Sequence, residues 1–161
     1  MTDLLALLQQ FHREKLAMFL RHEDGARFVG QYDANNTYQY IINREDVQLS
    51  WLAKAIEDLG GKVLDALAPP RGIAGKAAEA ARTVVEEDGQ DARAFVARWQ
   101  PRVEAMTNAR QSGMLRVILG ETLEHVRFFE QALAGRVDLL GRRGQSLAAA
   151  HGEVLSSRWI E

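Results

Sequence analysis

The chain has 161 residues, 47% of them apolar and 26% charged, enough to close one domain around a sizeable core. Its net charge is −2, with acidic and basic residues mixed throughout, so no basic stripe argues for nucleic acid. It has no cysteine, which excludes disulfides, thiol chemistry and zinc sites built on thiolates and is compatible with a cytoplasmic setting. The first apolar run follows no positive region, so no signal peptide is expected. No run approaches the ~18 apolar residues of a membrane span, so no membrane partner is expected either.

The spacing predicts helix A over residues 3–22, capped by Thr2 or Asp3, with Leu4, Leu8, Phe11, Met18 and Phe19 on its apolar face. The segment HEDGARFVGQYDANN interrupts the pattern and reads as a short helix or an irregular loop. Asn35, Asn36 and Thr37 offer caps for helix B, about 37–59, which Gly60-Gly61 ends. Pro69, Pro70 and Gly72 mark a connector, too long for a simple hairpin, that can cross over a bundle. Helix C, about 73–107, aligns Ala77, Ala81, Val84, Asp88, Phe95, Trp99, Val103 and Met106 on one face if it runs through Gly89. Gly89 and Pro101 argue for a kink or two pieces. Helix D spans about 109–134 and stops at Gly135, with Met114, Leu115, Ile118, Leu119, Val126, Phe129 and Leu133 inward. The tail, 136–161, reads as one or two short helices. Its Leu147, Leu155 and Trp159 either dock on the bundle or join two copies in a homodimer. The expected architecture is an all-α, antiparallel four-helix bundle over 1–135 with a C-terminal helical extension over 136–161.

Each predicted helix places an ionisable group where an apolar one belongs. Glu45 and Gln48 lie in the centre of helix B's stripe with Ile41, Leu52, Ile56 and Leu59. On helix D, His125 lies within the arc, Thr122 at its centre and Glu121 near one edge, while Glu124 points away. Lys15 sits between Phe11 and Met18 on helix A, with His12 and Glu14 at its margins. Asp88 lies on the seam of helix C, or caps a second piece if that helix breaks at Gly89. Buried polar groups must be satisfied from inside. Bundle-core metal sites satisfy them with a carboxylate from each of two helices and a Glu-x-x-His pair from each of the other two. Such oxygen and imidazole donors suit iron or manganese. Glu45-x-x-Gln48 has the required spacing but only an amide oxygen at its second position, and Glu121-x-x-x-His125 is spaced i, i+4. The alternatives are a core amide at Gln48, a hydrogen-bonded histidine at 125, solvated carboxylates at Glu121 and Glu124, and a Glu45 held by Lys15 or an arginine. The three tryptophans read as packing or interface residues, and the GGK and GIAGK stretches lack the spacing of a phosphate loop.

EDVQLSWLAKAIEDLGGKV, residues 45–63, resembles the second helix of the ferritin-like superfamily, which includes bacterioferritins and rubrerythrins. That helix reads E-x-x-H, a hydrophobic run, then L-G-G. ILGETLEHVRFFEQAL, residues 118–133, resembles the fourth helix, where His125 matches the family histidine. The resemblance implies a di-iron carboxylate centre with ferroxidase or peroxidase chemistry. Gln48 stands where the family has histidine and Thr122 where it has glutamate. Family spacing puts the third-helix carboxylate near Gly89, beside Asp88 and Asp91, and the first-helix glutamate near His12, beside Glu14 and Lys15. Two functions follow as expectations. One is a bundle whose metal site is lost, acting as a structural or interaction module, with the Lys15 ammonium neutralising Glu45. The other is a metalloprotein with an altered iron or manganese site, held by Glu45 and His125 with Asp88, Glu121, Gln48 and Glu14 or His12.

Overall fold

The computed structural model describes residues 2–73, 75–136 and 140. Four helices account for most of them: α1 (Thr2–Ala26), α2 (Tyr32–Asp58), α3 (Ala77–Glu104) and α4 (Ala109–Leu133). Among the described residues there is no strand, and no helix is long and apolar enough to cross a membrane. The expected helical extension lies outside the described residues apart from Arg136 and Leu140.

The bounds of α4 agree with its pattern, because Asn108 accepts from the Gln111 amide (3.0 Å) at one end and Gly135 takes φ +93° at the other. Helices α1 and α2 start or end beyond the bounds their sequences suggest, whereas α3 is shorter than the expected 73–107. Helix α1 continues to Ala26, and Gly25 inside it serves packing: a Cβ there would stand 2.9 Å from Val84 Cγ1 on α3. Helix α2 starts at Tyr32, where the Gln31 side chain accepts from the Ala34 amide (2.7 Å). Asn35, an expected cap, instead donates to the carbonyls of Ala26 and Val29 and ties the α1–α2 turn together. Helix α3 is one element. Gly89 sits in its middle against Phe129, and Pro101 falls in its last turns, where the intrahelical bond it removes is one of few remaining.

Helices α1 and α2 form one closely packed hairpin, and α3 and α4 a second. The hairpins meet through the α1·α3 and α2·α4 pairs. Contacts along the helices fix their directions. Gln10 meets Arg102, Glu14 meets Trp99 and Gly25 meets Val84, so α1 and α3 run opposite ways. Gly61, at the end of α2, lies on Leu5 near the start of α1. The chain must therefore return along the length of the bundle before α3 begins. Gly61 is level with Leu5 and Arg71 with Arg21, whose carbonyl it holds (2.9 Å). Residues 61–71 thus cover about 24 Å, or ~2.4 Å per residue, far above the helical rise, so the crossover is an extended strap.

The core has two apolar parts. One is built around Leu8, Phe11, Leu52, Ile56, Phe95, Trp99, Leu115 and Ile118. The other is built around Tyr38, Ile41, Val84, Ala92, Val126 and Phe129. Between and beside them lies a layer of buried polar groups: Lys15, His22, Glu45, Gln48, Asp88, Thr122 and His125.

Candidate functional site

Glu45 is the centre of this layer and is fully buried. Its Oε1 is 2.6 Å from His22 Nδ1 and its Oε2 is 3.1 Å from Lys15 Nζ. The second contact is an ion pair rather than an aligned hydrogen bond. Burial alone would raise the Glu45 pKa. The opposing charges of His22 and Lys15, and the hydrogen bond from His22, overcome it and hold the carboxyl down at about 2. His22 shows the converse balance: burial lowers its pKa, but Glu45 raises it further, so it ends above its ordinary value.

Lys15 reaches all four helices. Its ammonium donates to Thr122 Oγ1 on α4 (3.1 Å) and to Met18 Sδ on α1 (3.7 Å). It pairs with Glu45 on α2 and lies 5.5 Å from the centre of the Phe95 ring on α3. Thr122 can accept because its own hydrogen goes to the Ile118 carbonyl (2.8 Å). Burial, and then the nearby Lys15 charge, push the His125 pKa down to about 3, so this imidazole is neutral. Its Nδ1 and Gln48 Oε1 have no hydrogen-bond partner among the described residues.

A second cluster lies toward the other end of the layer. Tyr38 donates its hydroxyl to Asp88 Oδ2 (2.6 Å), and Arg71 forms a very short ion pair with the other oxygen. Arg71 comes from the strap, is itself buried, and also holds Glu87 (3.0 Å). Burial and then the Asp88 charge raise the Tyr38 pKa well above its ordinary value, so the phenol keeps its proton.

The expected ligands are thus dispersed among separate partners. Asp88 is not a helix cap, because α3 does not break at Gly89; it is a buried carboxylate committed to Tyr38 and Arg71. Glu121 is a half-buried carboxylate with fixed partners rather than one held by solvent alone. Arg44 grips it through both oxygens (2.9 Å each), and Gln48 donates to it (2.9 Å). Gln48 is therefore a core amide bonding across helices. Glu14 faces outward to Arg98, the Trp99 indole N–H (3.0 Å) and Gln10. His12 is buried on α1, where burial lowers its pKa. Among the described residues, no group of three or more His, Asp or Glu side chains is arranged to hold a metal ion.

A metal at the centre of this layer does not fit the residues present. The ammonium already compensates Glu45, and the charge that depresses His125 would repel a second cation. Sequence reasoning missed three participants. His22 continues the Lys15–Met18 stripe of α1 (i, i+3, i+7) and is legible once α1 runs past residue 22. Tyr38 stands seven residues before Glu45 on the stripe of α2. Arg71, in a connector, carries no periodic signal.

No family model, no curated protein and no solved structure matches this chain.

Proposed function

We propose that this chain is a non-catalytic helical-bundle module, ferritin-like in connectivity, whose metal layer has been replaced by internal ion pairs. In this reading it serves a structural or interaction role, and a cytoplasmic setting suits its cysteine-free composition. The observation that carries the reading is Lys15: a fully buried ammonium 3.1 Å from Glu45 and 3.1 Å from Thr122. The single long crossover between two hairpins supports the ferritin-like part, since that connectivity is the one such folds use. A partner surface is offered by the exposed Val47 on α2 and Val117 on α4. We take a second copy as its first candidate occupant.

The alternative reading is a metalloprotein with iron or manganese bound beside Gln48 and His125, whose Oε1 and Nδ1 are buried without a hydrogen-bond partner among the described residues. The Lys15 charge weighs against it. Metal analysis separates the two, on protein grown with iron or manganese and repeated on Glu45→Ala with His125→Ala. Near-stoichiometric metal that disappears in the double variant would overturn the module reading. Wild type without metal, with a melting temperature indifferent to chelator, is the expected result.

A further inference from the structure

We propose that the bundle centre is a recognition site for a primary alkylammonium cation, of which the Lys15 side chain is the tethered occupant. The proposal rests on the reading that the layer is neutralised by an internal ion pair, and it names the chemistry that this layer selects.

An –NH3+ group has three N–H donors and no acceptor. Here it donates to Thr122 Oγ1 at 3.1 Å and Met18 Sδ at 3.7 Å, and forms an ion pair with Glu45 Oε2 at 3.1 Å. The Phe95 ring adds an aromatic face 5.5 Å away, within the range where a ring quadrupole attracts a cation. Each of the four helices supplies one of these groups, so the site is a property of the assembled bundle and not of one segment. The set discriminates. Its thioether and aromatic face suit a soft, weakly directional cation contact, and only one carboxylate oxygen is offered. A hard divalent ion wants several oxygens. A guanidinium is planar and would fit a fork-shaped acceptor, which is absent around Nζ. The hydroxyl orientation is fixed too, because Thr122 gives its hydrogen to Ile118 and so presents a lone pair to the cation.

Truncating Lys15 to alanine keeps Cβ and removes three carbons and the nitrogen, which together are the atoms of n-propylammonium. Free amines therefore test the site by chemical rescue. Lys15→Ala should lower the melting temperature. n-Propylammonium should raise it again, more than ethyl- or methylammonium at equal concentration, and should leave wild type unmoved. In Lys15→Ala with Glu45→Gln, amine affinity should drop about tenfold or more, as expected when a charged acceptor becomes neutral. Tetramethylammonium, with no N–H donor, should not rescue. Equal rescue by tetramethylammonium, equal rescue of the double variant, or no rescue would each overturn the proposal.

If Lys15→Ala does not fold in plain buffer, refolding with and without n-propylammonium becomes the readout. Recovery only with the amine supports the site, and equal failure in both counts against it. Wild type gives an independent check: the fully buried Lys15 Nζ, with two hydrogen-bond acceptors and an ion-pair partner, should exchange its protons slowly with water in a nitrogen-detected spectrum, and exchange as fast as surface lysines would overturn the proposal. Manganese or zinc binding by wild type would refute the module reading and leave the amine arms to be judged separately. The two failures are therefore distinguishable.

Discussion

Replacing Lys15 with methionine isolates the charge at the bundle centre from its volume. Methionine is unbranched, similar in length and apolar, so it fills the same channel past Met18 and Phe95. What it removes is the partner of Glu45 Oε2, leaving a fully buried carboxylate compensated by His22 alone. Breaking a buried pair by deleting one member costs about 3–5 kcal/mol. In a chain of this size each kcal/mol shifts the melting temperature by roughly 2–4 °C, so Lys15→Met should melt about 12 °C below wild type. Adding Glu45→Gln removes the stranded charge while keeping a carbonyl oxygen for His22. The double variant should recover most of the loss, with a coupling energy of about 2 kcal/mol or more between the positions. Differential scanning calorimetry and urea titration at neutral pH measure both quantities. A loss under about 1 kcal/mol in the single variant, or simple additivity in the cycle, would refute the view that Lys15 is there to neutralise Glu45.

Four further outcomes are expected. Stability should fall as pH drops below about 6.5 toward 3, because neutral His125 must charge in the unfolded chain first. It should fall again from about 4.5 toward 2 as the depressed Glu45 carboxyl takes up its proton; the Glu45 contribution is about 3 kcal/mol, and Glu45→Gln should flatten that lower limb in acid melts. His22 acts in the opposite sense: its raised pKa gives stability that is present below about 6.5 and lost as pH rises through the folded value, so His22→Asn should remove a decline on the alkaline side. Gly25→Ala should cost about 1–3 kcal/mol, since its Cβ would press on Val84, Arg71 and Asp88, whereas Gly120→Ala, in open space on α4, should add about 0.5–1 kcal/mol in the same melts. Arg71→Ala should cost about 3–5 kcal/mol and expose the strap to limited proteolysis; unchanged cleavage kinetics would show that Arg71 does not anchor the strap.

The bundle was legible because its signals are local and periodic. Helix α4 shows its stripe and its stop at Gly135 within one continuous stretch, and the structure adds its cap at Asn108. The pattern ends α1 too early, because Gly25 looks like a breaker in sequence and is a close-packing residue in space. Gly89 misleads in the same way on α3, and it is what leaves Asp88 open between a seam position and a cap; in the continuous helix Asp88 lies on the seam. The stripe of α2 picked out Glu45 and Gln48 as buried, and the charge rule for buried carboxylates named Lys15 as a partner. What periodicity could not supply was the pairing across non-adjacent elements. Arg71 is in an irregular connector, and Glu121 lies near the edge of its stripe where solvent and Arg44 are equally accessible choices. Family spacing also assumed that the acidic groups converge, whereas each has its own cationic or hydrogen-bonding partner.

The strap bears on how this chain could assemble with itself. It is the single covalent link between two hairpins that are each closely packed internally and meet more sparingly across the bundle. If Arg71 leaves its carboxylates, the strap can stay extended while the α3–α4 hairpin of one molecule closes on the α1–α2 hairpin of another. The Lys15–Glu45 pair would remain within each chain, and the Thr122, Phe95 and Asp88–Tyr38 contacts would be made between chains. Such an exchanged dimer would keep the buried interactions between the helices and give up those of Arg71, so its formation would be governed by how firmly one arginine anchors the strap.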